Sequence, residues 1–471
     1  MNSMAECPQS GSSVSLGRDN SIELAYSSLF VEQINHAADE AVWSSDYINE
    51  VFMHFYMRII ETCSVSTAST ATRVLFKGHA RDWPNAVAAA RHKGQRIGFS
   101  SQIIFCTWGA ALYLLSFILV ALSALVLPGM TLVTKKRTVT NLSTDLSVIR
   151  SPASYGKMRF LSDSGSVMFY YDDLFQKKTS AASLYSLGTL NERVLSLFVV
   201  PLLALRDYFS VMNDARKLLG WCYAGFVLYY FSKRVAHKCN FEYYLHVLLK
   251  RSTLVTYYTG NKEDRFAILE KRLCKKYSVR SVCVPHGIEY AFRTPAGLVG
   301  DVFYCTTEHA RQHLTKLYPD GQEFIFDEQI ARNMFSRRKA CATVEDIVFF
   351  PESRGAGVNL SIVKHLLDLG RSICLKLHPS DSVENYKEYA DRVTFVYDFD
   401  TAICNKICLA RKSTVLIEAI YNNSIPIAIL TDERDRGYVE HMLPSLVDPQ
   451  IVRVYSYEEL ASVLDGLQAC S

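Results

Sequence analysis

The sequence predicts an α/β protein with two domains that each contain a parallel sheet and face a common cleft, and with a membrane-embedded helical insertion in the N-terminal domain. Three observations lead to this prediction. A chain of 471 residues is longer than one hydrophobic core usually supports. Strand-like and helix-like segments alternate from residue 250 onward, as they do in parallel sheets covered by helices. Residues 103–133 contain no charged side chain.

Composition and charge exclude several classes of protein. Hydrophobic residues make up 49% of the chain, which is incompatible with a disordered protein. The 51 basic and 47 acidic residues leave a formal net charge of +4, too small for a strong nucleic-acid-binding field. The 13 cysteines form no C-x-x-C pair, which argues against a zinc ribbon, a thioredoxin-like motif and a secreted disulfide framework. We therefore expect a reducing, cytosolic setting and no nucleic-acid partner.

The N-terminal part of the chain is predicted to be helical over residues 1–70. Its first twenty residues are polar, so no cleaved signal peptide is expected. The first α/β domain is assigned to residues 71–320. It is expected to open with a short buried strand at 73–77 and a helix at 83–92.

The uncharged segment 103–133 is long enough to enter a bilayer, since about 20 apolar residues suffice. The alternative, a buried core helix, is disfavoured because soluble helices seldom run so far without a polar face. Basic residues flank both ends, at 91–96 and 135–137, and the positive-inside rule assigns both flanks to the cytoplasm. Pro128 and Gly129 permit a bend. We therefore expect a monotopic or hairpin-like anchor on the cytoplasmic face of the inner (plasma) membrane rather than a single span.

Two further apolar stretches lie within residues 194–234. Charged residues interrupt them and several aromatic residues accompany them, which is typical of interfacial helices that lie on a bilayer. Ordinary packed helices of the N-terminal domain explain the same pattern equally well.

The remainder of the chain alternates regularly. Strands are expected at 253–258, 280–284, 301–306, 346–350, 372–377, 393–397, 409–410 and 425–430. Helices are expected at 263–276, 308–317, 361–369 and 457–468, with another that begins at Ser413. The polar residues 321–342 are predicted to be an interdomain linker. This arrangement predicts two Rossmann-like domains, 71–320 and 343–471.

Four loops follow strands, where open α/β sheets place their ligands. The first loop contains His286 and Glu289. A histidine at a strand end can act as a general base near neutral pH, and Glu289 is expected to orient it or to share its role. A purely structural histidine is the alternative.

The second and third loops carry groups suited to a phosphate. In the second, Ser353, Arg354 and Gly355 combine a cation with a glycine that lets backbone amides approach an anion. Its spacing matches neither a Walker loop nor G-x-G-x-x-G, so a plain turn is the alternative. In the third, Lys376 precedes His378 and Pro379. The proline fixes the turn, and the histidine is expected to bind a nucleotide phosphate or to protonate a leaving group.

The fourth loop runs from Arg411 through Ser413 and Thr414 to Glu418. Ser413 is a good N-cap residue, and the amides that follow it are expected to form an anion site at the helix start. Glu418 lies one turn further on, where a carboxylate can accept hydrogen bonds from two sugar hydroxyls. A simple capped helix is the alternative.

Taken in order, the strand-end motifs HG, PESRG, K-x-HP and R-K-S-T-x-x-x-E-A resemble bacterial GT-B glycosyltransferases of surface-polysaccharide biosynthesis, which assemble capsule and lipopolysaccharide. The resemblance covers about residues 250–435. It points to the sialyltransferase and polysialyltransferase group and to the CDP-glycerol glycerophosphotransferases. His378-Pro379 matches the HP motif of the former and Ser413-Thr414 its Ser/Thr pair. His286-Gly287 stands where the former carry an acidic motif and is similar to the HG motif of the latter.

The resemblance implies a GT-B fold and a metal-independent, membrane-associated glycosyltransferase without a cofactor. Its donor is a nucleotide-sugar, with a CMP-sugar favoured, and its acceptor is a lipid-linked or growing surface glycan bound by the domain at 71–320. The alternatives are a CDP-alditol phosphotransferase, a nucleotide-sugar epimerase and a non-catalytic membrane scaffold. The acidic pair Asp172-Asp173 lacks a following glycine, and the D-x-D pattern at Asp398 and Asp400 lies in the wrong type of domain for a metal site. The sequence predicts no oligomeric state.

Overall fold

The computed structural model describes residues 26–65, 83–92, 94, 97–133, 145–163, 165, 167–172, 182–251, 256–337, 347–353 and 355–469. Two parallel sheets organise these residues. The strand expected at 73–77, Asp173 and Arg354 lie outside the described residues.

The first sheet has seven strands in the order β3-β2-β1-β4-β5-β6-β7. Each pairing is parallel. The strands are β1 (Asp145–Ile149), β2 (Val167–Tyr171), β3 (Ala182–Ser183), β4 (Thr256–Thr259), β5 (Arg280–Cys283), β6 (Val302–Tyr304) and β7 (Glu323–Ile325). The order changes direction between β1 and β4, and a crevice for ligands forms at such a point beyond the carboxyl ends of the strands.

The second sheet has six strands in the order β10-β9-β8-β11-β12-β13, again with parallel pairings. The strands are β8 (Ile347–Phe350), β9 (Ile373–Leu375), β10 (Thr394–Phe395), β11 (Ile407–Ala410), β12 (Ile425–Ile429) and β13 (Val452–Val454). Its direction changes between β8 and β11. The predicted fold class, α/β with two Rossmann-like domains in the GT-B arrangement, is confirmed.

Helices cover both sheets. Those up to β7 are α1 (Ser28–Glu40), α2 (Ile48–Val51), a π-helical turn (Phe52–Tyr56), α3 (Met57–Val65), α4 (Trp83–His92), α5 (Phe99–Leu132), α6 (Pro152–Asp163), α7 (Leu190–Leu219), α8 (Trp221–Arg251), α9 (Arg265–Tyr277) and α10 (Glu308–Leu317). Those that follow β7 are α11 (Glu328–Phe335), α12 (Ala356–Asp368), α13 (Phe399–Ile403), α14 (Val415–Ile420), α15 (Glu433–Met442) and α16 (Tyr457–Ala469). Short 3₁₀ helices lie at Leu184–Leu187, Val383–Tyr389 and Pro444–Val447.

Helix α1 begins where the hydroxyl of Ser27 accepts a hydrogen bond from the amide of Phe30, at 3.3 Å, as an N-cap serine does. Its buried residues Phe30, Ile34 and Ala38 recur every fourth position, so they form one apolar stripe. The stripe packs into a core that also contains residues of the second sheet. The N-terminal helices therefore contact both domains.

Helix α5 is continuous, which corrects the expected bend at Pro128 and Gly129. Pro128 lies four residues before the end of the helix, so its missing amide removes one hydrogen bond near that end. Neighbouring helices hold this end in place, because Thr131 bonds to the hydroxyl of Tyr244 at 2.7 Å and to Arg193 at 3.2 Å. At about 1.5 Å per residue, the helix is about 50 Å long.

Helices α5, α7 and α8 form a layer. Helices α5 and α8 are parallel, because Cys106 lies beside Cys222 at one end and Thr131 beside Tyr244 at the other. Helix α7 is antiparallel to both. Cys106 and Cys222 form a disulfide, which differs from the expected reducing setting. The pair was not expected because the two residues are 116 positions apart and no local motif joins them.

The predicted interfacial segments within 194–234 belong to α7 and α8. Helix α8 buries Phe231, but its aromatic residues Trp221, Tyr229 and Tyr230 are between 40% and 58% exposed. Helix α7 exposes Phe198 and Leu202. By length and composition, two helices in the described part of the chain, Phe99–Leu132 and Leu190–Leu219, are apolar enough to cross a membrane.

The predicted linker 321–342 is wrong in its first part, because β7 joins the first sheet there and α11 follows it. The side chain of Phe324 is buried in a three-residue strand, too short to show an alternating pattern. The carboxylate of Asp327 caps α11 by accepting a hydrogen bond from the amide of Ile330 at 2.9 Å. Residues 338–346 lie outside the described part of the chain.

Candidate functional site

The four predicted loops meet at one cavity between the two sheets. This first cavity has a volume of about 650 Å³ and is lined by the loops that follow β5, β8, β9 and β11. Strands β8 and β11 are adjacent, with Phe350 opposite Ala410. The loops that follow them therefore begin side by side at the same edge of the sheet. The cavity therefore lies at the point where the strand order of the second sheet changes direction, the expected position for a ligand.

Six of the predicted residues line the first cavity. They are Ser353, Lys376, His378, Pro379, Ser413 and Thr414. Two of these six described side chains, Lys376 and His378, can carry positive charge. Such groups suit the oxygen atoms of a phosphate.

His378 has a defined tautomer. The amide of Ser380 donates a hydrogen bond to its Nδ1 atom at 3.2 Å, so Nδ1 is the acceptor nitrogen. In the neutral ring the proton is then on Nε2, and the side chain is exposed. Nε2 can therefore donate a hydrogen bond to a ligand.

Thr414 is the residue directly before α14, and its side chain makes no capping bond. The hydroxyl of Ser413 instead accepts a hydrogen bond from the amide of Val415 at 3.3 Å. Because Thr414 already has helical backbone angles, Ser413 stands at the capping position of this turn, and its hydroxyl bonds to the amide two residues on, as the sequence predicted. Both hydroxyl groups lie at the cavity wall.

His286 follows β5 and is exposed, but it does not itself line the first cavity; Ile288 and Tyr290 of the same loop do. Its Nδ1 atom lies 2.6 Å from the carbonyl oxygen of Gly260. A carbonyl only accepts, so Nδ1 carries the proton and Nε2 has the free lone pair. This is the tautomer that a general base requires.

Glu289 does not orient His286, which corrects the predicted catalytic role. Its carboxylate is 1% exposed and accepts hydrogen bonds from the amide and hydroxyl of Thr306, both at 2.7 Å, and from the hydroxyl of Ser445. Ser445 follows α15, so Glu289 links the two domains.

Comparison with known proteins yields little. No protein-family model matches the chain, and no curated protein matches it. A crystal structure of UDP-N-acetylglucosamine 2-epimerase is similar over 69% of this chain and 87% of that chain, with 12% identity and a TM-score of 0.38. Similarity at this level identifies no activity, so the function depends on the residues of the cleft.

Arg411, predicted to bind the donor phosphate, does not line the first cavity. It is 4% exposed and pairs with Asp435 and, at 3.1 Å, with Asn359. Its guanidinium would lie 2.8 Å from a Cβ atom at position 355, where Gly355 has a φ of +79°. Only glycine fits there without strain, so Arg411 and Gly355 shape the loop after β8, and both line a second cavity.

Glu418 is buried and does not face a sugar, which corrects its predicted role. Its carboxylate pairs with Lys157 at 2.9 Å and with Arg337. Lys157 is itself buried, and a buried cation requires a counter-charge. The pair therefore belongs to the contact between the domains.

Sequence reasoning missed Glu352 and Lys412, which line both cavities. The amide of Lys412 donates to the carboxylate of Glu352 at 3.0 Å. Burial raises the pKa of Glu352, although the positive charges of Lys412 and Arg411 oppose this rise. Glu352 lies two residues after β8, and an acid so close to a buried strand end was the signal that could have identified it.

One aspartate from each of the two acidic motifs, Asp172-Asp173 and the D-x-D pattern at Asp398, interacts with other residues of the protein. Asp398 caps α13 by accepting from the amide of Thr401 at 3.0 Å. Asp172 is buried against His237, at 2.9 Å. In the described residues, no group of three or more His, Cys, Asp or Glu side chains is arranged to hold a metal ion.

Proposed function

We propose that this protein is a membrane-associated glycosyltransferase that moves a sugar from a nucleotide-activated donor, with a CMP-sugar favoured, to a lipid-linked or surface-glycan acceptor. One observation carries the proposal: loops from both sheets, with Lys376, His378, Ser413 and Thr414 among their side chains, converge on one cavity at a change of strand direction. This is where doubly wound sheets bind nucleotides.

The reaction needs a base, an electrophile and a leaving group. The acceptor hydroxyl attacks the anomeric carbon of the donor sugar, and Nε2 of His286 takes the hydroxyl proton. A new C–O bond forms as the bond between the anomeric carbon and the phosphate oxygen breaks, and the phosphate keeps the electron pair. Lys376 and the Nε2–H group of His378 stabilise the charge that develops there, as fixed donors do in transition states. These groups supply the neutralisation that a metal ion provides in other transferases.

A nucleotide screen tests the donor part of the proposal. A nucleotide at a hundredfold excess over its dissociation constant stabilises a protein by about 2.7 kcal/mol, so we expect one of CMP, CDP, UDP and GDP to raise the melting temperature. Lys376→Ala is expected to reduce this rise, whereas Lys387→Ala, a change of another lysine of the second domain, is the control. No response to any of the four nucleotides would contradict the enzyme proposal.

The base is tested by His286→Ala. We expect loss of sugar transfer with nucleotide-induced stabilisation retained, since His286 does not line the first cavity. His309→Ala, a change of an exposed histidine on α10, is the matched control and is expected to keep full activity. Equal turnover of His286→Ala and wild type would remove His286 from the mechanism.

The HG motif favours a second candidate, a CDP-alditol phosphotransferase. In that reaction the acceptor oxygen attacks the β-phosphorus atom of CDP-alditol, CMP leaves, and the product is a phosphodiester. Phosphorus analysis of the product distinguishes the two reactions, because a glycosidic product contains no new phosphodiester. A hydrolysing nucleotide-sugar epimerase would instead release free sugar and nucleotide with water in place of an acceptor, and a scaffold would form no product.

The membrane part of the proposal is supported by the outer face of α5. Trp108, Leu115 and Leu122 on this face are between 43% and 58% exposed. The opposite stripe, with Phe105, Leu112, Val120 and Ala124, is buried along the length of the helix. An apolar face exposed this widely marks an interaction site. Because α5 packs lengthwise on the domain, we propose that it lies in the plane of one leaflet, on the cytoplasmic side.

Vesicle flotation tests this placement. Wild-type protein is expected to float with phosphatidylcholine vesicles at high salt, and Leu115→Glu with Leu122→Glu to remain in the soluble fraction. Lys364→Glu, a change on α12 of the second domain, is the control. A protease-protected tag at residue 1 combined with an accessible tag at residue 471, on sealed vesicles, would contradict the in-plane arrangement because it requires a crossing.

A further inference from the structure

We infer that a second cavity binds the acceptor and that Arg58 binds an anionic group, a phosphate or diphosphate that joins the acceptor sugar to a lipid; this inference rests on the proposed function. The second cavity has a volume of about 800 Å³. It shares Tyr290, Glu352, Lys412 and Tyr438 with the first cavity. The two cavities are therefore adjacent, and ligands bound in them would lie on either side of these four side chains.

The second cavity is built largely from the N-terminal helices. Residues of α1, the π-helical turn and α3 form one wall, and α15 of the second domain forms another. A Rossmann-like sheet does not need these N-terminal helices to complete its fold. A π-helical turn is rare and occurs frequently at functional sites, and here it places Met53 and His54 on the cavity wall.

The lining is amphipathic. Aromatic and thioether side chains, including Tyr26, Phe30 and Met57, cover part of it, and charged residues cover the rest. Tyr26 and Tyr438 meet edge to face with ring centroids 5.2 Å apart. Aromatic rings next to polar groups provide the mixed surface that a sugar ring needs, with an apolar face and hydroxyl groups around it.

One cation of the second cavity has no opposite charge. Arg411 and Lys412 both pair with Asp435, and Arg434 pairs with Glu61 at 2.7 Å. Within the described part of the chain, Arg58 lines the cavity, is exposed and forms no ion pair. Its guanidinium is therefore available to a phosphate, which arginine binds through two parallel hydrogen bonds.

The wall of the second cavity that carries Arg58 adjoins the layer formed by α5, α7 and α8. The ring of Phe55 contacts Tyr230 on α8, with centroids 5.3 Å apart. Asn85 on α4 lines the cavity and accepts a hydrogen bond from Tyr223 on α8. Trp83 on α4 contacts Phe105 on α5 at 5.8 Å. An acceptor held in the second cavity is thus close to the helices that we propose to contact lipid, which favours a lipid-linked source for the anionic group over a free sugar phosphate.

Binding to full-length protein in phosphatidylcholine nanodiscs tests this inference. The probes are glucose joined to a dodecyl chain through phosphate, the neutral dodecyl glucoside, and free glucose 1-phosphate. We expect the dodecyl-phosphate-linked glucose to bind best. Arg58→Gln is expected to weaken its binding about tenfold or more, as loss of a hydrogen bond between charged groups does, and to remove the preference over the neutral glucoside.

Two control variants separate this result from a general loss of structure. Arg159→Gln changes an exposed arginine that lines neither cavity and is expected to leave all three affinities unchanged. Met57→Trp fills the second cavity and is expected to abolish binding of both glucosides while nucleotide stabilisation persists. Unchanged binding in Arg58→Gln would overturn the inference, and equal binding of free glucose 1-phosphate would overturn its lipid-linked part. If no nucleotide stabilises the protein although the probe binds through Arg58, the proposed function fails and the anion site stands.

Discussion

The Nζ atom of Lys157 lies 2.9 Å from the Oε1 atom of Glu418, and this ion pair joins α6 of the first domain to α14 of the second. The two side chains are 8% and 9% exposed, so water screens the pair weakly. Arg337 contacts the same carboxylate. Glu418 is therefore the common partner of two cations at the contact between the domains.

We predict that Glu418→Gln destabilises the protein more than Lys157→Met. Without the carboxylate, Lys157 is a buried cation with no counter-charge among the described residues, and Arg337 retains Asp400 at 3.6 Å. Breaking a buried pair in this way costs about 3–5 kcal/mol. Lys157→Met leaves Glu418 paired with Arg337 and is expected to cost less. Urea unfolding measures both free energies, with Arg159→Met, on an exposed part of α6, as the control. A larger loss of unfolding free energy in Lys157→Met than in Glu418→Gln would contradict the prediction that Lys157 depends on Glu418 for its counter-charge.

Glu289→Gln separates a structural from a catalytic role for this carboxylate. Its Oε2 atom accepts from the hydroxyl groups of Thr306 and Ser445, and an amide nitrogen in that position cannot accept. We expect a loss of about 1–3 kcal/mol of stability and an unchanged pH profile of sugar transfer at a temperature where the variant is folded. Thermal unfolding and initial rates measure the two effects. A variant with wild-type stability and no activity would restore the catalytic assignment.

The sequence predicted the parts of the fold that depend on local pattern. Strands such as β8 (Ile347–Phe350) and β12 (Ile425–Ile429) are short apolar runs, and the loops that follow β5, β8, β9 and β11 could be located because polar residues come directly after the predicted strands. This is also why His378, Ser413 and Thr414 were correctly expected to face one cleft. Strands β1, β2, β3, β7 and β13 were not predicted; the last three have only two or three residues, too few to show alternation.

The roles of individual charged residues could not be predicted because their partners are remote in sequence. Arg411 pairs with Asp435, and Glu418 pairs with Lys157, and no spacing rule connects either pair. The second cavity was missed for the same reason, since it forms only when residues near position 58 meet residues near position 434.

Close contact between α5 and α8 depends on two glycines. A Cβ atom at Gly109 would collide with the carbonyl oxygen of Cys222, and one at Gly225 would collide with the carbonyl oxygen of Gly109. We predict that Gly109→Ala lowers stability by about 1–3 kcal/mol, the usual cost of overpacking, and leaves more of Cys106 and Cys222 open to alkylation. Gly129→Ala on the same helix meets no atom within 4 Å and should stabilise slightly through helix propensity. Equal effects of the two substitutions would contradict the close approach.

The stability of the first domain should depend on pH through Glu270. Its side chain is fully buried, and burial raises its pKa to about 7, although hydrogen bonds from Thr259 and Tyr257 and the charge of Arg150 oppose the rise. The unfolded chain releases this proton near its ordinary pKa of 4.5, whereas the folded protein holds it until about pH 7. Between these values the unfolded state binds fewer protons, so the free energy of unfolding falls as pH rises, by about 3 kcal/mol in total.

Glu270→Gln removes this titration, because the amide stays neutral at every pH in the window. We expect its unfolding free energy to change less between pH 4.5 and pH 7 than that of the wild type, and the difference between the two proteins to grow steadily with pH. Urea unfolding at closely spaced pH values measures the two curves, and Glu388→Gln, which alters an exposed carboxylate, should follow the wild-type curve. Parallel curves for Glu270→Gln and wild type would mean that Glu270 ionises at the same pH in the folded and unfolded states.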